Sequence, residues 1–264
     1  MSVKFVIRTI SRSGGGLLAE ALSSSKDVCV SHGYVFDGIT AQAVADMKAA
    51  AGWKKLFDQY TVGTTDNTLA AGFIAAGYAA KHQAGRGVNW AWTNTLWQYL
   101  GDRGRGDVKV INVTREDPVA RAISAFFTLK TGVYRIGKLT TAARLYAAKK
   151  PAAHMPPWLF IRYLEEWVDA NTVTDATVAC RNSLNITYEN MCMDWSGQML
   201  RVQRYLGLPE MSLTVMSDKM GMMPPHAALS NWDMLQEACR GTPYELYIDK
   251  YNSHFLPMYD DSVG

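Results

Sequence analysis

The run VKVINVT, residues 108–114, constrains the fold more than any other stretch of this chain. Valine and isoleucine fill four of its seven positions and fall on both faces of an extended strand, Val108 and Val110 on one and Ile111 and Val113 on the other. A strand with one solvated face alternates, whereas apolar residues on both faces belong to a parallel strand covered on both sides. Parallel strands cannot be joined by tight turns, so each needs a crossover, usually a helix. The sequence supplies such helices. Pro118 stands where one would begin, because a first-turn residue needs no N–H, and a helix is predicted from there to about Leu129. Short β-branched and aromatic runs predict further strands at residues 3–8, 27–32 and 184–189. Helical spacing predicts helices over 15–25, 90–100, 140–149, 157–170 and 193–206, the last stopped by Gly207 and Pro209. A weaker helical pattern covers 39–83, interrupted by Gly72 and Gly77. The C-terminal stretch carries short helices and no clear strand. Strands alternating with helices predict an α/β fold: a single domain over 1–264, with a central mostly parallel sheet flanked by helices.

Composition narrows the function. Hydrophobic residues make up 48% and charged residues 19% of the chain, which describes a folded globular protein. A net charge of +3 is too small to argue for a nucleic-acid partner, yet it allows a local basic pocket for an anion. No run is long enough to cross a bilayer. The opening MSVKFVIRTIS holds only a brief apolar run, broken by Arg8, and does not read as a signal peptide. The expected location is cytoplasmic, with no membrane span. Cys29, Cys180, Cys192 and Cys239 form no C-x-x-C pair, so they read as reduced thiols rather than zinc ligands.

The stretch RTISRSGGGLLAEAL, residues 8–22, follows the first predicted strand and opens the first predicted helix. Unpaired N–H groups and the dipole at a helix start favour an anion there. Gly14, Gly15 and Gly16 allow close backbone approach and positive φ, and Arg8 and Arg12 bring forked charged donors. A glycine-rich turn of purely structural purpose is the competing reading. A magnesium-dependent nucleotide loop reads G-x-x-x-x-G-K-[ST]. Here the turn runs SRSGGGLL, without the lysine, which disfavours a nucleotide kinase or hydrolase.

The same turn resembles the 5′-phosphosulfate loop of sulfotransferases, often P-R-S-G-S-T-L-L. Arg12, Ser13, Gly14, Leu17 and Leu18 match it; Ser11 replaces the proline, and Gly15 and Gly16 replace hydroxyl residues. VINVTREDPVARAISAFF, residues 110–127, resembles the family's second signature, with Arg115 and Ser124 at the positions that hold the donor's 3′-phosphate. LNITYENMCMDWSGQMLRVQRYLGLPE, residues 184–210, resembles a late segment of strand, Tyr-Glu and helix, matched by Tyr188 and Glu189 and read as architectural. The three matches lie in family order. The resemblance implies a P-loop NTPase-like sulfotransferase fold and transfer of a sulfuryl group from 3′-phosphoadenosine 5′-phosphosulfate to an acceptor hydroxyl on a glycan, lipid or small metabolite. It implies no metal, and adenosine 3′,5′-bisphosphate as product. The donor-binding residues would be Arg8, Arg12, Ser13, Gly14, Gly15, Gly16, Leu17, Arg115 and Ser124.

In that setting Arg12 is the candidate for stabilising charge on the bridging oxygen of the leaving nucleotide. A base must take the acceptor proton. Relatives often place a glutamate in a segment like H-G-E-V-F. This chain has SHGYVFDG at residues 31–38, with Tyr34 at that position. His32, at the carboxyl end of a predicted strand, is favoured for the base, with Asp37 second. A structural histidine at a strand end competes with that role, and a nucleotide-binding module without catalysis remains the alternative. Arg121 is expected on another face of its helix or paired with an acid. The tryptophans of NWAWTNTLWQYL read as helical core, and MSDKMGMMPP as a lid or a loose loop. The acceptor and the oligomeric state are left open.

Overall fold

The structure is a computed structural model that describes residues 3–10, 12–31, 69–77, 108–131, 136–137, 153–177, 183–215, 217–218 and 225–255. These residues cluster into two compact units. The first spans 1–115 and 169–215, the second 116–168 and 216–264.

The first unit is built on a five-stranded sheet: β1 (Val3–Ile10), β2 (Val28–Ser31), β3 (Ala70–Gly77), β4 (Val108–Thr114) and, five along, β6 (Ser183–Thr187). Its order is β2-β3-β1-β4-β6 and every pairing is parallel. The predicted α/β class with a parallel sheet is therefore the observed one. Helix α1 (Gly15–Ser23) follows β1. On one face, Phe5, Ile7, Ile111, Val113 and Ile186 pack with Leu18 and Leu22 of α1 and with Met199, Val202 and Leu206 further along the chain. The alternate residues Val6, Ile10 and Val110 are buried as well, which is why β1 and β4 carry apolar residues on both faces.

Two elements differ from expectation. Ala70–Gly77 is a strand, not part of a helix over 39–83. In isolation AAGFIAAG has good helix formers, but the slot between β1 and β2 demands small residues in extended form. A Cβ at Gly72 would lie 2.5 Å from the Phe5 carbonyl oxygen and 2.6 Å from the Phe5 ring, so no side chain fits there. The second difference is at the end of β6. Thr187 turns the chain, and its Oγ1 accepts a hydrogen bond from the Asn190 N–H at 3.1 Å. Tyr188 and Glu189 therefore open a short helix rather than close a strand.

Helices are numbered along the described chain: α2 (Pro118–Thr131), α3 (Pro157–Thr177), α4 (Tyr188–Met193), α5 (Trp195–Leu206), α6 (Trp232–Cys239) and α7 (Glu245–Lys250). Helix α5 starts at Asp194, whose Oδ1 accepts from Gly197 N–H at 2.9 Å, and ends at left-handed Gly207, φ 73°. Where β6 begins beside Val110, the Tyr205 hydroxyl of α5 bonds both Val110 N–H and Val110 C=O.

The second unit has its own core. Val119, Ile123, Phe126 and Phe127 of α2 pack with Phe160 and Leu164 of α3, Leu235 of α6, and Tyr251 and Phe255 of the wide turn after α7. It also holds a two-stranded antiparallel pair, β5 (Ile136–Gly137) with β7 (Ser217–Asp218), where no strand is expected from the C-terminal sequence. Among the described residues no helix is long and apolar enough to cross a membrane.

Candidate functional site

The strand order places a switch point at β1. From β1 the chain goes to the edge strand β2 and returns to β3 beside β1, then crosses to β4 and β6 on the other side. In open parallel sheets, ligands bind beyond the carboxyl ends of the strands at such a point. The carboxyl end of β1 is the glycine turn, and the carboxyl end of its neighbour β4 is Arg115.

The turn is built around two left-handed residues. Arg12 has φ 69° and Gly14 has φ 90°. Gly14 is needed twice over, since a Cβ there would fall 2.7 Å from Met191 Cε and 2.9 Å from Tyr188 Cδ2. A Cβ at Gly15 would run into the Thr9 side chain. The helix that follows has Gly14 at its N-cap, a residue with no side chain to cap the first amides. Ser13 is fully buried, and its hydroxyl has no hydrogen-bond partner among the described residues. An uncapped helix start beside an orphaned buried hydroxyl is a donor set suited to an oxyanion such as a phosphate or sulfate. Gly16 and Leu17 lie half-buried in the first turn of α1.

Arg115 is buried, and three groups fix its guanidinium. One Nη donates to the Arg12 carbonyl at 3.2 Å. The planar head lies 4.6 Å over the Tyr188 ring. Nε stands 3.7 Å from a carboxylate oxygen of Glu189, which is itself buried. Burial pushes the Tyr188 phenol up to about 12, against the downward pull of the Arg115 charge. Arg12 and Arg115, far apart in sequence, are thus brought into direct contact.

Arg8 sits differently. It is buried two residues inside the end of β1, and its Nη1 donates to Asn112 Oδ1 at 2.7 Å. Asn112 Nδ2 in turn donates to Asn185 Oδ1 at 3.0 Å. The three residues share one register row across β1, β4 and β6. Arg8 is therefore part of a polar row along the sheet.

Ser124 lies half-buried on α2 in the second unit, its carbonyl accepting from the Thr128 hydroxyl at 2.9 Å. Helix α2 begins at Pro118 as predicted, and the buried Asp117 caps it, Oδ1 accepting from Ala120 N–H at 2.8 Å. Arg121 pairs with an acid as expected. Its Nη2 is 3.5 Å from Glu166, and Nη1 donates to the Tyr163 carbonyl at 3.0 Å. His32, Tyr34 and Asp37 lie outside the described residues, as do NWAWTNTLWQYL and most of MSDKMGMMPP. Among the described residues no group of three or more His, Cys, Asp or Glu side chains could hold a metal ion.

Sequence reasoning missed the support given by Tyr188, Glu189 and Met191. The available signal was capping: Thr187 is a favoured N-cap residue type, and as a cap it starts a helix at Tyr188 instead of continuing the strand through Glu189.

No family model and no curated protein matches the chain. Among solved structures, it is similar to a sulfotransferase from Alicyclobacillus acidocaldarius, at 14% identity over 94% of this chain and 99% of that one, with a TM-score of 0.46. The sulfotransferase domain from the curacin biosynthetic pathway is similar at 14% identity over 96% and 90%, TM-score 0.46. A mouse sulfotransferase complexed with PAP is similar at 13% identity over 94% and 88%, TM-score 0.40. All three are distant likenesses.

Proposed function

We propose that this chain is a sulfotransferase that moves a sulfuryl group from 3′-phosphoadenosine 5′-phosphosulfate to an acceptor hydroxyl. One observation carries the reading. The glycine turn and Arg115 stand at the carboxyl ends of adjacent strands, at the switch point, and a hydrogen bond joins them through the Arg12 carbonyl. A donor with anionic groups on the 3′ and 5′ oxygens of one ribose suits two such neighbouring sites. The first-turn amides of Gly15, Gly16 and Leu17, with the Ser13 hydroxyl, hold the 5′-phosphosulfate. Arg115 holds the 3′-phosphate; Ser124, expected from the sequence as its second donor, lies in the second unit. The donor carries roughly four negative charges near neutral pH, and Arg8, Arg12 and Arg115 offset much of that.

The chemistry assigned to the protein is positional and electrostatic. His32 takes the proton of the acceptor hydroxyl as its oxygen bonds to sulfur, with Asp37 as the alternative base. Arg12 stabilises the negative charge left on the bridging oxygen as the sulfur–oxygen bond to the 5′-phosphate breaks. The acceptor is an alcohol on a glycan, lipid or small metabolite.

Calorimetry tests the reading. Adenosine 3′,5′-bisphosphate is expected to bind without magnesium, and ATP with magnesium is expected not to. The reverse preference would point to a nucleotide kinase or hydrolase. Transfer of labelled sulfate to a panel of alcohols tests the chemistry, and binding without any transfer would leave a nucleotide-binding module. Retained turnover in His32→Ala would remove His32 from the mechanism.

A further inference from the structure

We infer that Glu189 is a positioning residue that aims Arg115 and thereby sets the preference for a nucleotide bearing a 3′-phosphate; this rests on the donor reading above. Glu189 and Arg115 are both buried and stand 3.7 Å apart. Stability alone does not account for such a pair, because buried ion pairs are often no more stabilising than apolar residues of the same size. Orientation accounts for it. A guanidinium is a rigid plane with donors along its edges. Here its flat side rests on Tyr188, one Nη reaches the Arg12 carbonyl, and the Nε edge faces Glu189. Contacts from three directions fix the plane before any ligand arrives, so less side-chain freedom is lost on binding.

The holder is itself held. Thr187 caps the first turn of α4 through Asn190, which fixes the backbone of Tyr188 and Glu189. The same short helix lays Tyr188 and Met191 against Gly14. One turn of α4 therefore supports both the glycine turn and Arg115. Glu189 acts on the ligand only through Arg115, and its effect belongs to the 3′-phosphate rather than to the 5′-end.

The test compares two ligands by calorimetry, adenosine 3′,5′-bisphosphate and adenosine 5′-phosphate, on the wild-type chain and on Glu189→Gln. The readout is the ratio of their dissociation constants. In Glu189→Gln this ratio is expected to fall about fivefold or more, while affinity for adenosine 5′-phosphate stays within about twofold, as for loss of one charge-assisted contact. A purely structural role would weaken both ligands together and leave the ratio intact, and that result would overturn the inference. If Glu189→Gln does not fold, Glu189→Asp keeps the charge but withdraws it by one methylene, and the same fall in ratio is expected of it. A wild-type chain that does not distinguish the two ligands would instead remove the donor reading itself, whatever the variants do.

Discussion

Gly14 meets two demands that alanine cannot meet together. Its φ of 90° lies in the left-handed region, and its missing Cβ leaves room for Met191 and Tyr188. Gly207 has a similar φ of 73° but open space around its Cβ position. Gly207→Ala is therefore expected to lose about 1 kcal/mol, the cost of left-handed backbone alone. Gly14→Ala is expected to lose about 2–4 kcal/mol, strain and overpacking combined. Urea unfolding of both variants checks the order, and equal losses would refute the packing argument. Tyr188 gives a second prediction. Its phenol, ordinarily at 10.0, is raised by burial to about 12. The folded chain thus holds that proton more tightly than the unfolded chain does. Its share of stability is complete below pH 10 and is lost as pH climbs through about 12. Tyr188→Phe should flatten the alkaline limb of a stability profile; Tyr163, raised to about 12 mainly by burial, leaves a similar limb behind.

Among the elements, those with local signals were legible and those shaped by neighbours were not. β4 announces itself because burial on both faces puts valine and isoleucine on both sides of the strand, and Pro118 marks the start of α2. Asp117→Ala should cost about 1 kcal/mol by removing the cap on Ala120 N–H, measurable by denaturant unfolding. β3 was illegible because its alanines and glycines answer to Phe5 on β1, a partner that no window around residue 72 contains. For the same reason the glycine turn and Arg115 could each be picked out by pattern, but the bond between them could not. Nor could sequence reveal that Arg8 donates to Asn112 in the row that continues to Asn185, because that depends on strand register.

Across the whole molecule, the sheet order sets the glycine turn and Arg115, the residues proposed to hold the nucleotide, beyond the carboxyl ends of the adjacent strands β1 and β4 of the first unit. Adenosine 3′,5′-bisphosphate at about a hundred times its dissociation constant should therefore raise stability by about 2.7 kcal/mol. Hydrogen exchange should slow most at residues 12–17 and 188–193. Slowing concentrated in residues 232–255 instead would place the nucleotide away from the glycine turn. The sheet order has one more consequence. β6 joins β4 from far along the chain, and Tyr188 and Glu189 follow it directly. A nascent polypeptide halted before Ser183 would carry Gly14 and Arg115 without the pieces that brace them. Long-range pairings of this kind fold slowly, so during synthesis the proposed nucleotide site can mature only after Ser183–Met193 has left the ribosome.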